Sequence, residues 1–331
     1  MIIKDIQTEI RYIKLKTPFI TSLRKVEEVE FVRVSISCND GSVGFGEAPS
    51  TYAITKEDIH TISSTIKSLT PKLLSLTPKE ALDTLHKLDI GSSAKACVDM
   101  ALLALDDFFH IEDNRPIKTD ITISLNNEEK MLQDAQDAFD NGMDILKIKL
   151  GSDIRHAISV TKELSTTLPS AKLLIDANQA WSLKDSLYYI DSTKKCKLEL
   201  IEQPVLAKNL EELKTISQYS DIPILADEAV FNLDDVKKVY KNRYADMINI
   251  KLMKCGGITP AIKILEFARE HDIKCMLGSM LEGGVSINAA LYLAFNYRDV
   301  IKFVDLDSPL LYKGTISGLD FVYKGCEIST L

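Results

Sequence analysis

The 331-residue chain has no pair of cysteines spaced C-x-x-C; its six cysteines, at 38, 97, 196, 255, 275 and 326, are scattered. That argues against a disulfide framework and fits a reducing, cytoplasmic setting. It has no run of 18 or more apolar residues, so no helix is expected to span a membrane. The opening stretch MIIKDIQTEIRYIKL alternates and carries charge, which reads as a strand rather than a signal peptide. Positive charge is not in excess. The formal net charge is −8, which removes nucleic acid from the expected partners but not an anionic small molecule, since local charge decides that case. Nor is there a G-x-G-x-x-G after a first strand, the mark of a dinucleotide-binding sheet.

What is present is ordinary in bulk and patterned in detail. An apolar fraction of 45% and a charged fraction of 27% suit a soluble globular protein with one large and one smaller domain. The first part reads as antiparallel strands, IIKDIQTEIRYIKL and VEFVRVSISCNDGSVGFGEA, the latter turning at Asn39-Asp40-Gly41. Residues 55–110 read helical, with Ser92-Ser93 expected to cap the last helix. From residue 119 short apolar runs recur at intervals of about 24 to 28 residues: DITISL, ILKIKL, KLLIDA, LELIEQP, IPILADE, DMINIKL, KCMLGSM and IKFVDLD. Helical patterns separate them. Eight such units predict a (β/α)8-type barrel rather than an open doubly wound sheet.

Barrel chemistry sits at the carboxyl ends of strands. There the runs place Lys147 and Lys149, Asp176 with Asn178, Glu202, Asp227-Glu228, Lys251, Gly278-Ser279, and Asp305 with Asp307. Asp176, Glu202 and Asp227 come from three successive strands at spacings of 26 and 25. Converging carboxylates repel unless a cation lies among them, and an all-oxygen set suits Mg²⁺ or Mn²⁺. The five histidines, at 60, 86, 110, 156 and 271, fall outside these strand ends, so zinc is poorly supported.

The second and sixth strands lie opposite each other in a ring of eight, so Lys149 and Lys251 face across the mouth. A free lysine, with a pKa of ~10.4, is a poor base. Burial and a neighbouring cation lower it, and Lys147 is placed to depress Lys149 in this way. One lysine on each face of a carbon acid suits epimerisation or racemisation. The same residues leave open a Schiff-base lysine, an ion-pair cluster without chemistry, and a catalytically silent barrel that only binds.

KIK at 147–149, DANQAW at 176–181, EQP at 202–204, ADE at 226–228 and NIKLMKCGG at 249–257 resemble the enolase superfamily, in its muconate-lactonizing subgroup. The resemblance implies an α/β protein: a modified (β/α)7β TIM barrel over 116–309 and an N-terminal α+β capping domain over 1–115, with the tail 310–331 packing against the latter. It implies one Mg²⁺ per subunit on Asp176, Glu202 and Asp227, acid/base lysines at Lys149 and Lys251 acting through an enediolate, and support from Lys147, Asn178 and Glu228. Members include muconate cycloisomerases, o-succinylbenzoate synthases, N-acyl amino acid racemases and dipeptide epimerases.

Three features lean toward a dipeptide epimerase. VDLDSP resembles the family's D-x-D, so Asp305 and Asp307 are expected to receive an α-ammonium. PFITSLRK at 18–25 resembles the mobile capping-domain loop of Ala-Glu epimerases, whose arginine, here Arg24, meets the side-chain carboxylate of the substrate. GSMLEGG resembles the segment after the seventh strand, where Ser279 and Met280 are expected to contact substrate through backbone groups. The implied reaction is reversible epimerisation of L-Ala-L-Glu and L-Ala-D-Glu at the C-terminal residue, which links the chain to murein peptide breakdown. Other dipeptides or N-acyl amino acids are the nearest alternatives. Gly283-Gly284 is expected to leave the pocket roomier or more mobile. Association of copies of the chain is left open.

Overall fold

Alternation of charged and apolar side chains over residues 3–38 is what a sheet with one wet and one dry face requires. The computed structural model of the protein describes residues 1–106 and 108–331 and forms such a sheet from β1 (Ile3–Ile20), β2 (Lys25–Cys38) and β3 (Val43–Pro49), all antiparallel. Val32, Val34 and Ile36 are fully buried on its inner face. Against that face pack α2 (Ile59–Leu73) and α4 (Ser92–Ala104), which follow α1 (Tyr52–Thr55) and flank α3 (Pro78–Lys87). The expected helical stretch 55–110 therefore ends at Ala104, and Asp107 within it lies outside the described residues. Ser92 and Ser93 do not cap α4. The N-cap is Gly91, and the buried Glu57 carboxylate accepts the Ser93 and Ala94 N–H groups at 2.7 and 3.1 Å.

All eight expected barrel runs form strands: β5 (Ile121–Ile123), β6 (Ile145–Lys149), β7 (Lys172–Asp176), β8 (Leu198–Glu202), β9 (Ile224–Ala226), β10 (Met247–Lys251), β11 (Lys274–Gly278) and β12 (Ile301–Asp305). They lie in parallel in chain order. The crossovers carry α5 (Glu128–Asp140), α6 (Ile154–Thr167), α7 (Leu183–Thr193), α8 (Leu210–Tyr219), α9 (Leu233–Asn242), α10 (Leu252–Cys255) with α11 (Ile258–Glu270), and α12 (Gly284–Asn296). The eighth strand leads only to the one-turn α13 (Ser308–Leu311), so the architecture is (β/α)7β. Between β12 and β5 the ring closes through a few bonds in place of a regular ladder. Asp120 N–H donates to Val304 O at 3.0 Å, and Thr122 N–H donates to Asp307 Oδ2 at 2.7 Å.

Strand alternation builds the barrel interior in layers. Ile145, Leu174, Leu200, Leu225, Met247, Met276 and Phe303 form an apolar plug. The next inward positions, two residues on, are Lys147, Asp176, Glu202, Asp227, Asn249, Gly278 and Asp305. One step along each strand therefore separates a dry hydrophobic floor from a charged mouth.

The tail divides its contacts. Tyr312 bridges to Leu15 of the capping sheet, and Lys313 N–H donates to Lys14 O at 2.8 Å. Further on, β13 (Phe321–Lys324) and β14 (Glu327–Thr330) form a hairpin that pairs with β4 (Ile117–Lys118) beside the barrel instead.

Buried carboxylates at helix N-termini fasten the capping domain to the barrel. Asp99 of α4 accepts the Ile258 N–H of α11 at 2.6 Å and pairs with His86 at 2.7 Å. Glu47 of β3 accepts the Val285 N–H of α12 at 2.9 Å and the Arg33 Nε–H at 2.6 Å. Gly283 and Gly284 exist for this junction. A Cβ on Gly283 would lie 2.2 Å from Glu47 Oε2, and one on Gly284 would lie 2.6 Å from Ser317 O. The pair thus lets the capping domain and tail approach closely, and neither glycine lines the central cavity, which corrects the expectation of a roomier pocket. Replacing Glu47 with Ala takes away the only carboxylate on Arg33 among the described residues, leaving it Ser317, and leaves the α12 terminus without its acceptor. The expected loss is about 3 kcal/mol, read by urea unfolding, with Glu47→Gln losing less because it keeps an acceptor.

Candidate active site

Side chains at and beyond the strand ends meet in one cavity under the capping domain, lined by Lys149, Asp227, Lys251, Asp305 and Asp307 among others, while Asp176 and Glu202 are not in its lining. Lys149 and Lys251 line it from β6 and β10, four strands apart. Each ammonium holds a carboxylate: Lys149 Nζ lies 2.5 Å from Asp176 Oδ2, and Lys251 Nζ 2.7 Å from Asp227 Oδ2. Lys147 lies one layer deeper and is fully buried. Its Nζ is 2.6 Å from Asp305 Oδ2, 2.7 Å from Glu202 Oε2 and 3.4 Å from Asp176 Oδ2. Burial disfavours its charge, but Asp305, Glu202 and Asp176 outweigh that and raise its pKa well above the lysine value. Lys147 is thus tied to three anions below the cavity and does not line it beside Lys149.

Asp176 and Glu202 end β7 and β8, and Asp227 directly follows β9, all three buried. Burial pushes Asp176 and Asp227 up, yet their lysines hold both below the usual carboxylate range. Glu202 is pushed up to about 7 by burial and by Asp176. Its Oε2 sits at ion-pair distance from Lys147 but accepts no aligned hydrogen bond. Three carboxylates on adjacent strands, kept dry and matched by ammonium groups, form a donor set that a hard divalent cation fits. A tighter trio sits beside them: Asp120, Asp305 and Asp307 each offer an oxygen within 4.8 Å of the others.

The supporting residues expected from sequence are also here. Asn178 N–H donates to Asp176 Oδ1 at 2.9 Å, and its Nδ2 to Glu228 Oε1 at 3.4 Å. Asn178 and Gln203 hold positive φ (43° and 36°) just beyond strand ends, strain that buys side-chain placement. Burial and Asp227 push Glu228 up to about 8.

Arg24 reaches the cavity from the capping domain. Its segment is not an open loop: β1 and β2 run into a short turn, where Thr21 N–H donates to Arg24 O at 3.0 Å. The tip docks on the barrel, with Ser22 Oγ donating to Asn178 O at 3.0 Å and Leu125 N–H to Ile20 O at 3.0 Å. The Arg24 guanidinium has no ion-pair or hydrogen-bond partner among the described residues, and burial lowers its pKa. Such a group is completed by an anion from outside. Ser279, Met280, Asp305 and Asp307 line the same cavity. The Ser279 N–H already goes to Asp305 O at 3.1 Å, the Met280 N–H to Glu282 Oε1 at 2.8 Å, and Met280 O accepts Ser308 Oγ–H at 2.9 Å. Both of those N–H groups are thus already engaged within the protein.

Several participants escaped the sequence reading. Lys254 is buried against Asp227, its Nζ 2.5 Å from both Asp227 Oδ1 and Asp227 O. Asn249 donates to Glu202 Oε1 at 2.9 Å, and Gln203 Oε1 accepts the Asp227 N–H at 3.0 Å. Asn249 stands two residues before Lys251, so strand alternation alone signals it. Lys254 lies on a helical turn and Asp120 just before the short strand β5, where the strand-end rule does not look. Because Lys147 serves three carboxylates and Lys149 one, Lys147→Met is expected to cost about 3–5 kcal/mol in urea unfolding and Lys149→Met clearly less.

Comparison with known proteins agrees with this geometry. Residues 5–107 match the mandelate racemase / muconate lactonizing enzyme N-terminal domain, and residues 130–325 match the family described as enolase C-terminal domain-like. The chain is 55% identical to an L-amino acid-D/L-Glu epimerase of Sulfurimonas denitrificans, over all of both chains. It superposes with a TM-score of 0.94 and 36% identity on a substrate-liganded L-Ala-D/L-Glu epimerase from Bacillus subtilis, covering 100% of this chain and 97% of that one. A dipeptide epimerase from Enterococcus faecalis, complexed with Mg and L-Leu-L-Tyr, gives a TM-score of 0.92 and 31% identity, covering 100% and 98%. The chain belongs to the enolase superfamily, pairing the N-terminal domain of the mandelate racemase / muconate lactonizing enzymes with an enolase C-terminal domain-like barrel.

Proposed function

We propose that the protein is a divalent-metal-dependent dipeptide epimerase that inverts the C-terminal residue of L-Ala-L-Glu and L-Ala-D-Glu. The observation that carries this reading is the pair Lys149 and Lys251, facing one cavity from opposite strands beside three metal-type carboxylates. The neutral amine of one lysine takes the α-proton as the C–H bond breaks, and the ammonium of the other returns a proton to the opposite face. Reversal exchanges the two roles. Asp176, Glu202 and Asp227 would hold one Mg²⁺ per subunit, with Lys147, Asn178 and Glu228 supporting them. When bound there, the ion supplies positive charge to the ligand α-carboxylate as negative charge develops on it.

Arg24, without an acidic partner, takes the Glu side-chain carboxylate, and Asp305 with Asp307 takes the peptide α-ammonium. An N-acyl amino acid has no cation for that last pair, which disfavours a racemase of such substrates. The name of the 55%-identical relative leaves the first residue open, so other L-amino acids before Glu belong in the substrate set.

Proton NMR in D₂O with Mg²⁺ and L-Ala-L-Glu tests this. Loss of the Glu α-proton signal with appearance of the L,D diastereomer is expected, and no exchange would contradict it. Lys149→Ala and Lys251→Ala are each expected to abolish inversion while each still washes out the α-proton of one diastereomer only. Arg24→Met is expected to raise KM for Ala-Glu roughly 10–100-fold with little change in kcat, measured by the same assay. Chelation should stop exchange, and added Mg²⁺ at 100 times its Kd should stabilise the fold by about 2.7 kcal/mol, an effect that Asp227→Asn removes.

A further inference from the structure

Asp120 is the most thoroughly buried acid of the mouth that no step above employs. Its side chain is fully inaccessible, and it lies behind Asp305 and Asp307 rather than in the cavity lining. Neither of its carboxyl oxygens has a donor among the described residues. Its backbone N–H is spent on Val304 O, closing the barrel ring. Asp305 and Asp307 are differently served: Lys147 Nζ holds Asp305 at 2.6 Å, and the Thr122 N–H holds Asp307 at 2.7 Å. One oxygen from each of the three acids lies within 4.8 Å of the others, and among the described residues Lys147 is the one cation that acts on all three. Lys149 and Lys251 act on Asp305 from the cavity side.

Three dry carboxylates with one ammonium cannot all stay ionised, because like charges at this distance drive one of them to keep a proton. The orphaned acid is the one that gains most from it. A carboxylate without a donor next to another acceptor makes no hydrogen bond, whereas a carboxyl O–H does. We infer that Asp120 is a positioning residue of the ammonium subsite, holding a proton toward Asp305 in the free protein and releasing it to solvent when a ligand ammonium arrives. The O–H bond of Asp120 breaks, the proton leaves to buffer, and the incoming cation replaces its charge. Burial first, and Asp305 next, raise the pKa of Asp120 well above the carboxyl value, as this requires. The inference rests on the dipeptide reading for the identity of the cation. Its consequence is selectivity: a free amino terminus gains a third anion on binding, and an acylated one does not.

The test is isothermal titration of the full chain with Mg²⁺ at one neutral pH, in buffers of differing ionisation enthalpy. The probes are L-Ala-L-Glu and its N-acetyl derivative. Epimerisation itself releases no proton, so heat that varies with buffer reads protons lost on binding. Release with the free dipeptide and none with the acetylated one is expected. Asp120→Asn, which cannot ionise, should lose the release and bind the free dipeptide about tenfold more weakly, with the acetylated one unchanged. Buffer-independent heat in the wild-type protein overturns the inference without any variant, as does release retained by Asp120→Asn. If neither probe binds, the dipeptide reading fails. Asp120 is then decided by infrared spectroscopy of the free protein, where a protonated-carboxyl C=O band removed by Asp120→Asn is expected and its absence overturns the assignment.

Discussion

Charge in a dry barrel mouth must be matched locally, and the rest of this structure serves that match. Four lysines (147, 149, 251 and 254) stand among seven carboxyl groups (Asp120, Asp176, Glu202, Asp227, Glu228, Asp305 and Asp307), all nearly inaccessible to water. Isolated, any one of them would cost several kcal/mol to bury. Together they form a network in which no group is removable without exposing another. The acids outnumber the lysines, so the mouth is short of positive charge. A divalent ion, a ligand ammonium and a retained proton are three ways of making up that shortage, and the proposed chemistry uses all of them.

Keeping this layer dry depends on the capping domain staying seated. Its attachment relies on Asp99 and Glu47, single carboxylates from one domain that complete helix N-termini of the other. Both are local bonds of fixed geometry, which positions the β1–β2 hairpin tip, and Arg24 with it, over the strand ends. The glycines after β11 serve the same purpose, since side chains there would push Glu47 and the tail away from α12. In the proposed reading, substrate charge is met at one end by the barrel and at the other by a residue carried on a separate sheet.

Much of this was legible in the sequence because a barrel repeats. The eight apolar runs fixed eight strands, and their period put Asp176, Glu202 and Asp227 in phase and Lys149 opposite Lys251. Legibility failed where contacts ignore the period. Lys147 reads from its place in KIK as a cation supporting Lys149, but its partners lie on β7, β8 and β12, and only the closed ring brings them together. Glu57 replaces the expected serine cap from 36 residues away. Asp120 lies just before the short strand β5, yet the stagger of the ring brings it beside residues at the end of β12.

Two carboxylate trios in one mouth make the placement of the cation the point on which the account turns. Anomalous diffraction from crystals of the protein soaked with Mn²⁺ locates it directly. The account predicts a peak among Asp176, Glu202 and Asp227, with Lys149 and Lys251 moved off those carboxylates toward the cavity. A peak at Asp120, Asp305 and Asp307 instead would contradict it, since the ion would then occupy the place given to the ligand ammonium.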